Sequence, residues 1–166
     1  REIAAAFDAA EHSADVCIED GGRLFRSTAS SNQHCLVNVG FRSGRAAWEF
    51  RLESDSLNDE CSALGAAVKP VNSSSYESCP NMWMKRSYNG QLYHGTSAGY
   101  PPLGKVHEGD IVRVELDMDA HTLSFKTNGE DEGVAFTDVE GEEVFPAVCT
   151  YRSGIEVRLL KVEIWG

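Results

Sequence analysis

Apolar and polar residues alternate over short segments along most of the chain, and turn-forming residues separate these segments. Val112, Val114 and Leu116 alternate with charged residues, which predicts a strand with one buried face. Asn89-Gly90 and Asn128-Gly129 each follow such a segment, and Asn-Gly is a strong signal for a tight hairpin turn. About a dozen short segments, without a helix long enough for a βαβ crossover, predict an all-β fold: a two-sheet antiparallel β-sandwich.

The N-terminal residues follow a different pattern. Within Arg1–Glu11, the apolar residues Ile3, Ala6, Phe7 and Ala10 fall on one face of a helix. We therefore expect residues 1–12 to form a short helix or a linker on the domain edge, and residues 13–166 to form the sandwich.

Two further segments depart from simple alternation. Lys69–Pro80 is the longest irregular segment, and a loop of this length in a compact domain is usually functional or disordered. In Ile155–Ile164 the apolar positions shift by one residue between Leu159 and Leu160. This shift predicts a β-bulge or a change of strand partner.

Three segments resemble hallmarks of the SPRY (B30.2-type) family. Gly44–Glu49 is similar to its Gly-x-x-x-Trp-Glu strand, and Val134–Val148 is similar to its "AF … YPAV" ending. Gly109–Gly129 carries the central pattern "GD-V-x-x-x-LD … TLSF … NG" in the same order. The resemblance runs from about Val16 to Val157. It implies a concanavalin-like sandwich that lacks catalysis and binds proteins or peptides through loops at one end.

A smaller group of residues narrows the resemblance. Trp83, Tyr88 and Leu92-Tyr93-His94 are most similar to SPRY domains embedded in very large, HECT-containing ubiquitin ligases. The chain lacks the PRY half found in the tripartite-motif type, so an immune-receptor role is disfavoured. The resemblance implies a module that recruits a substrate or partner within a multidomain ubiquitin ligase.

The resemblance also implies a binding site. Family members that bind peptides, such as those with a SOCS box, use loops that correspond to four places in this chain. Exposed tyrosine rings offer rigid contact area, and arginine offers a fork of hydrogen-bond donors. Glu60 and Arg152 differ from the residue types of the family, so the class of ligand does not carry over. The implied residues are Arg26, Ser27, Thr28, Glu60, Tyr76, Tyr151 and Arg152.

Charge restricts the kind of partner. The formal net charge is -11, whereas nucleic acids and anionic membrane surfaces attract clustered Lys and Arg. We expect a monomeric domain that binds neither, with a protein or peptide partner that is basic or of mixed charge. A solvated acidic surface without any partner is the alternative interpretation.

Residues that carry out catalysis or bind metals do not form a recognisable motif. The five cysteines are widely spaced and include no CxxC pair, which favours reduced thiols, most of them in the core. Asp117 and Asp119 fall in a predicted hairpin turn, where Asp is common. We expect no catalytic residue, no metal and no cofactor.

With no signal-peptide pattern in the sequence, we expect a cytoplasmic location, with the nucleus as the alternative.

Two other functions stay open. A structural domain that docks against its own parent chain predicts an apolar patch away from the loops and no binding of free peptides. A lectin shares the sandwich architecture, but no calcium-ligand cluster or aromatic platform is evident in the sequence.

Overall fold

Short β-strands make up the fold. The computed structural model describes residues 1–55 and 57–165, and in these ranges a turn of 3-10 helix at Asp20–Gly22 is the only helical element. In chain order the strands are β1 (Glu2–Ile3), β2 (Phe7–His12), β3 (Val16–Glu19), β4 (Leu24–Ser27), β5 (Gln33–Val37), β6 (Arg45–Ser54), β7 (Ser62–Ala67), β8 (Met82–Arg86), β9 (Leu92–Tyr93), β10 (Ile111–Asp117), β11 (Thr122–Thr127), β12 (Glu130–Phe136), β13 (Phe145–Thr150) and β14 (Glu156–Trp165).

The strands form two antiparallel sheets. The larger sheet has the order β12-β11-β10-β6-β14-β4-β3, with β1 also paired to β14, and the smaller sheet has the order β2-β5-β13-β7-β8-β9. Between the sheets lies an apolar core that includes Trp48, Leu116 and Phe125. Burying each of these side chains stabilises the fold by about 1.5–3 kcal/mol. The predicted two-sheet antiparallel sandwich is confirmed.

The N-terminal segment forms two strands, Glu2–Ile3 and Phe7–His12, so the expectation of a helix or linker there is wrong. β1 pairs with β14 and β2 pairs with β5, which places this segment in both sheets. Phe7 is buried, and its ring stacks on that of Phe50 with 6.1 Å between centroids. A helix of about ten residues is marginal in water, whereas sheet pairing satisfies the backbone and buries the Phe7 ring.

The predicted turns and the predicted bulge are present. Asn89-Gly90 lies in the turn between β8 and β9. Asn128 and Gly129 join β11 to β12 with φ values of 51° and 80°, as a type I′ turn requires. In β14, Leu159 and Lys161 pair with two adjacent residues of β6, so one residue of β14 is extra. This bulge explains the shift in the apolar pattern.

The long irregular segment covers the outer face of the smaller sheet, and we call residues 68–81 the strap. Tyr76 and Cys79 of the strap are buried in a second apolar cluster with Met82, Met84 and Tyr93. The strap is therefore ordered by the apolar surface beneath it. As a result, the central strands of the smaller sheet are buried on both faces.

Hydrogen bonds to two strands hold the strap in place. The His34 Nδ1 and Ser74 Oγ atoms are 2.6 Å apart. Arg86 Nε donates to the Tyr76 hydroxyl at 2.8 Å. His34 belongs to β5 and Arg86 to β8, so the strap is fixed on both sides of the strands that it crosses.

A buried ion pair joins the two sheets. Lys85 of the smaller sheet is 1% exposed, and its Nζ donates to Glu132 Oε1 at 2.7 Å and to Thr127 Oγ1 at 3.2 Å. Glu132 also accepts a hydrogen bond from the Gly104 backbone N–H at 2.6 Å. Burial lowers the pKa of Lys85, although Glu132 acts in the opposite direction.

We predict that Glu132→Ala destabilises the chain more than Lys85→Met. Removing one partner of a buried pair costs about 3–5 kcal/mol, because the remaining charge loses its compensation. Without Lys85, Glu132 keeps the Thr127 and Gly104 donors and some contact with water. Urea unfolding of both variants measures the difference, and Glu130→Ala, at an exposed position, is expected to stay within about 0.5 kcal/mol of the parent. The reverse order of the two core variants would contradict this account.

Protonation of His34 is expected to weaken the fold in mild acid. Burial lowers the pKa of His34 below its ordinary value, and the charge of His12 adds to this effect. A group with a lowered pKa in the folded state stabilises above its unfolded pKa of about 6.5 and loses that contribution as pH falls.

Between pH 7.5 and pH 5.5, the free energy of unfolding of the parent chain should therefore fall more than that of His34→Gln. The extra loss should be about 1 kcal/mol for each unit by which the pKa of His34 is lower in the folded than in the unfolded state. Urea unfolding at both pH values measures the effect. Ser74→Ala serves as a control, because it removes the hydrogen bond to His34 but leaves the imidazole buried. Its unfolding should therefore depend on pH as that of the parent chain does. Equal pH dependence in the parent and His34→Gln would refute the assignment.

Candidate functional site

Five connections between strands, one of which is the strap, meet at one end of the sandwich and enclose a cleft. Because β7 pairs antiparallel with β8 and with β13, Ser62 lies opposite Thr150, and Ala63 lies opposite Arg86. The connections that adjoin these residues, together with the strap and the β4–β5 connection, enclose a volume of about 390 Å³, which we call the loop-end cleft. The lining residues are Tyr76, Tyr88, Tyr151, Arg86, Arg152, Asn32, Asp59, Glu60, Cys61 and Glu77.

The structure brings four of the seven predicted site residues together. Glu60, Tyr76, Tyr151 and Arg152 all line the loop-end cleft. They come from the segment before β7, the strap and the connection between β13 and β14. Three of the four places implied by the resemblance therefore contribute their predicted residues to one cleft, although their role in binding stays a prediction.

The other three predicted residues lie outside the lining of the cleft. Arg26 and Ser27 belong to strand β4 rather than to the loop after it, and Arg26 forms an ion pair with Glu19. Ser27 has no exposed surface, so it is not available for direct contact with a ligand. Its hydroxyl donates to the Arg152 carbonyl oxygen and so helps to fix the connection between β13 and β14. Thr28 is exposed but is not part of the cleft.

Tyr76 forms a wall of the cleft, and the expectation that its ring is exposed is wrong. The residue is 6% exposed, and its ring meets Tyr93 edge to face with 5.4 Å between centroids. Burial raises the pKa of its hydroxyl to about 12. The ring is buried because the strap covers the apolar outer face of the smaller sheet, a contact that local sequence does not reveal.

Two tyrosines form the exposed rim. Tyr88 is 55% exposed at the β8–β9 turn, and Tyr151 is 44% exposed after β13. Lys105 Nζ lies 5.1 Å from the centre of the Tyr88 ring, and the Arg152 guanidinium lies 5.1 Å from that of Tyr151. Such cation–π contacts orient both rings at the mouth of the cleft.

The arginines in the cleft are held by carboxylates. Arg152 Nε donates to Asp59 Oδ2 at 3.1 Å. Arg86 forms an ion pair with Glu77 at 2.7 Å, while its guanidinium also lies over the Tyr76 ring. Each guanidinium thus has a fixed position before any ligand arrives.

Glu60 is a buried acid at the floor of the cleft. The residue is 4% exposed, and its carboxylate lies 3.5 Å from Lys105 Nζ and 3.1 Å from His107 Nδ1. Asp55 accepts a hydrogen bond from the Glu60 backbone N–H, and burial raises the pKa of Asp55. These contacts fix the segment that precedes β7.

Arg86 and Tyr88 are cleft residues that we did not predict from the sequence. A usable signal was present, because both precede the Asn89-Gly90 turn, and a hairpin turn projects from the end of a sheet. Placing this turn beside residues 57–61 requires the β7–β8 pairing, which the sequence pattern alone does not determine.

The chemistry of the cleft favours binding over covalent reaction. Burial raises the pKa of the Cys61 thiol to about 11, so little of the reactive thiolate is present near neutral pH. Within residues 1–55 and 57–165, no group of three or more His, Cys, Asp or Glu residues is placed to hold a metal ion. Over the same ranges, no helix has the length and apolar character to cross a membrane.

The chain belongs to the SPRY domain family, whose family model matches residues 45–161. SPRY domains are non-catalytic binding modules that generally mediate protein–protein interactions. The chain is 31% identical over 167 residues to F-box/SPRY domain-containing protein 1 of Anopheles gambiae, covering 93% of this chain and 63% of the relative. It is 32% identical over 153 residues to the protein of the same name from Culex quinquefasciatus, covering 85% and 58%. The chain thus spans about 60% of these relatives.

Solved structures show the same fold. The SPRY domain of human HERC1 superposes with a TM-score of 0.87 at 29% identity, over 94% of this chain and 98% of that domain. The PSpry domain of TRIM65 superposes with a TM-score of 0.72 at 15% identity, over 94% and 91%, which shows the shared fold alone. The resemblance to SPRY domains found in the sequence is confirmed.

We predict that Tyr76 contributes mainly to stability. Tyr76→Phe removes the acceptor for Arg86 Nε and should lower the free energy of unfolding by about 1 kcal/mol. Tyr76→Ala also opens a cavity under the strap and should cost about 3–5 kcal/mol. Urea unfolding measures both, with Tyr88→Phe at the exposed rim as the matched control, expected within about 0.5 kcal/mol of the parent. Equal losses for the two Tyr76 variants would contradict a packing role.

Proposed function

We propose that the chain binds a protein or peptide partner in the loop-end cleft and recruits that partner to a multidomain ubiquitin ligase. The observation that carries the proposal is the cleft itself, in which tyrosine and arginine side chains are held in place by internal contacts. Tyr and Arg are enriched among residues that dominate binding energy. Prior ordering of such side chains reduces the entropy lost on association.

The ligase context rests on two likenesses. The sequence resembles SPRY domains within HECT-containing ubiquitin ligases, and the fold is similar to the SPRY domain of human HERC1. The curated relatives are F-box/SPRY domain-containing proteins, so the SPRY domain is joined to another domain in them. We infer that this chain, too, works as the recruiting part of a larger assembly, in the cytoplasm.

Charge supports a partner that is basic or of mixed charge. The net charge of -11 attracts basic segments at long range and repels nucleic acid and anionic lipid surfaces. A monomeric domain is sufficient for this function, because one chain supplies every residue that lines the cleft.

Docking of the domain against its own parent chain receives less support. That function predicts an apolar patch away from the loops. Outside the loop end, the large apolar side chains that are exposed in the described ranges are Val134 and Trp165. They lie on different strands, β12 and β14, of the larger sheet. Single exposed apolar residues are normal on protein surfaces and do not indicate an interface.

A peptide-display selection tests the proposal. The parent chain should enrich peptides that bind at least tenfold more weakly to a Tyr88→Ala, Tyr151→Ala double variant, a loss of about 1.4 kcal/mol. Both side chains are exposed, so the double variant should fold. Circular dichroism and urea unfolding verify that it does.

Trp165→Ala is the matched control, because Trp165 is an exposed aromatic residue at the opposite end of the strands from the cleft. Its affinity for the selected peptides should equal that of the parent. The proposal fails if no peptide is enriched, or if the enriched peptides bind equally well to the double variant.

A further inference from the structure

All three tyrosines of the loop-end cleft already face a cation of the chain itself. The Arg86 guanidinium lies 5.7 Å from the centre of the Tyr76 ring. The corresponding distances are 5.1 Å for Lys105 over Tyr88 and 5.1 Å for Arg152 over Tyr151. Cation–π attraction acts within about 6 Å of a ring centre, so each of these rings already has one cationic partner within the chain.

A cationic side chain of a partner would therefore meet like charges in the cleft. If it stacked on the free face of a ring, it would lie roughly 10 Å from the resident cation, where physiological salt screens most of the repulsion. The stronger obstacle is the lack of a free counter-charge. The three carboxylates that could compensate it are already paired, Asp59 with Arg152, Glu77 with Arg86 and Glu60 with Lys105. The cleft consequently differs from an aromatic cage that binds lysine.

A carboxylate would be no better placed. The Nε edge of Arg152 donates to Asp59 at 3.1 Å, and Arg86 is already bonded to Glu77 at 2.7 Å. An acidic anchor could reach the remaining N–H groups of either guanidinium only by lying close to the carboxylate that is already bonded to it, where like charges repel. The net charge of -11 also opposes the approach of an acidic partner.

An uncharged ring or large apolar side chain meets neither obstacle. Tyrosine rings stack with aromatic groups, and the planar face of a guanidinium also accepts a ring. Cys61, neutral because its pKa is raised, adds a small apolar contact. A volume of about 390 Å³ lies at the low end for ligand pockets, which suits one or two side chains.

We infer that the loop-end cleft takes an uncharged aromatic or large apolar side chain of the partner as its anchor. This inference rests on the proposed function and specifies the chemistry of its ligand. Basic residues that flank the anchor would still respond to the net charge of -11, outside the cleft. Long-range attraction and the choice of anchor are thus separate properties of the partner.

The test uses the peptides that the parent chain selects and that the Tyr88→Ala, Tyr151→Ala variant binds at least tenfold more weakly. These peptides should share Trp, Phe, Tyr, Leu or Met at one position. Synthetic peptides with that residue changed to Ala, Lys or Glu should each lose at least tenfold in affinity, measured by fluorescence polarisation. The Lys and Glu peptides should bind no better than the Ala peptide.

Each other outcome overturns a different statement. If the cleft-dependent peptides share Lys, Arg, Asp or Glu as the sensitive residue, the inference is wrong while the proposed function stands. The inference is also wrong if the Lys or Glu peptide binds as tightly as the selected one. If no selected peptide depends on the cleft, the proposed function fails, and the inference fails with it.

Discussion

Burial of the smaller sheet on both of its faces is the constraint on which the cleft depends. Strands β7 and β13 are buried along their whole length, so their outer face needs a cover as well as their inner face. The strap supplies this cover with Tyr76 and Cys79. Because Tyr76 also bonds to Arg86, packing on the outside of the sheet fixes one wall of the cleft. Fold stability and site geometry therefore share the same contacts.

The charges at the loop end serve mainly to hold its side chains still. Glu77 positions Arg86, and Asp59 positions Arg152. Exposed ion pairs of this kind contribute about 0–1 kcal/mol each to stability. Their more important consequence is to place the guanidinium groups beside the tyrosine rings. Because these charges are paired with one another, the cleft presents tyrosine rings and guanidinium planes with little net charge, even though the chain as a whole is strongly acidic.

Residue patterns predicted the fold better than they predicted the cleft. Alternation of apolar residues, the Asn-Gly turns and the shifted pattern of β14 are local signals, and each reports the geometry of one or two strands. The prediction of a helix or linker for the N-terminal segment was wrong, because its apolar spacing suits a helix whereas pairing with distant strands decides its structure. Tyr76 and Arg86 meet only through the strap and the β7–β8 pairing, which join residues far apart in sequence. Long-range pairing of this kind leaves no local pattern.

The outer face of the larger sheet shows why the loop end is the stronger candidate for recognition. Arg113 lies at the centre of that face and pairs with Glu49 at 2.9 Å, Glu115 at 3.0 Å and Glu163 at 2.7 Å. A partner that bound there would have to break these pairs or leave them without water. Such desolvation is costly for charged groups. At the loop end, a ligand that covers the exposed Tyr88 and Tyr151 rings removes apolar surface from water, which offsets the partial desolvation of the ion pairs beside them.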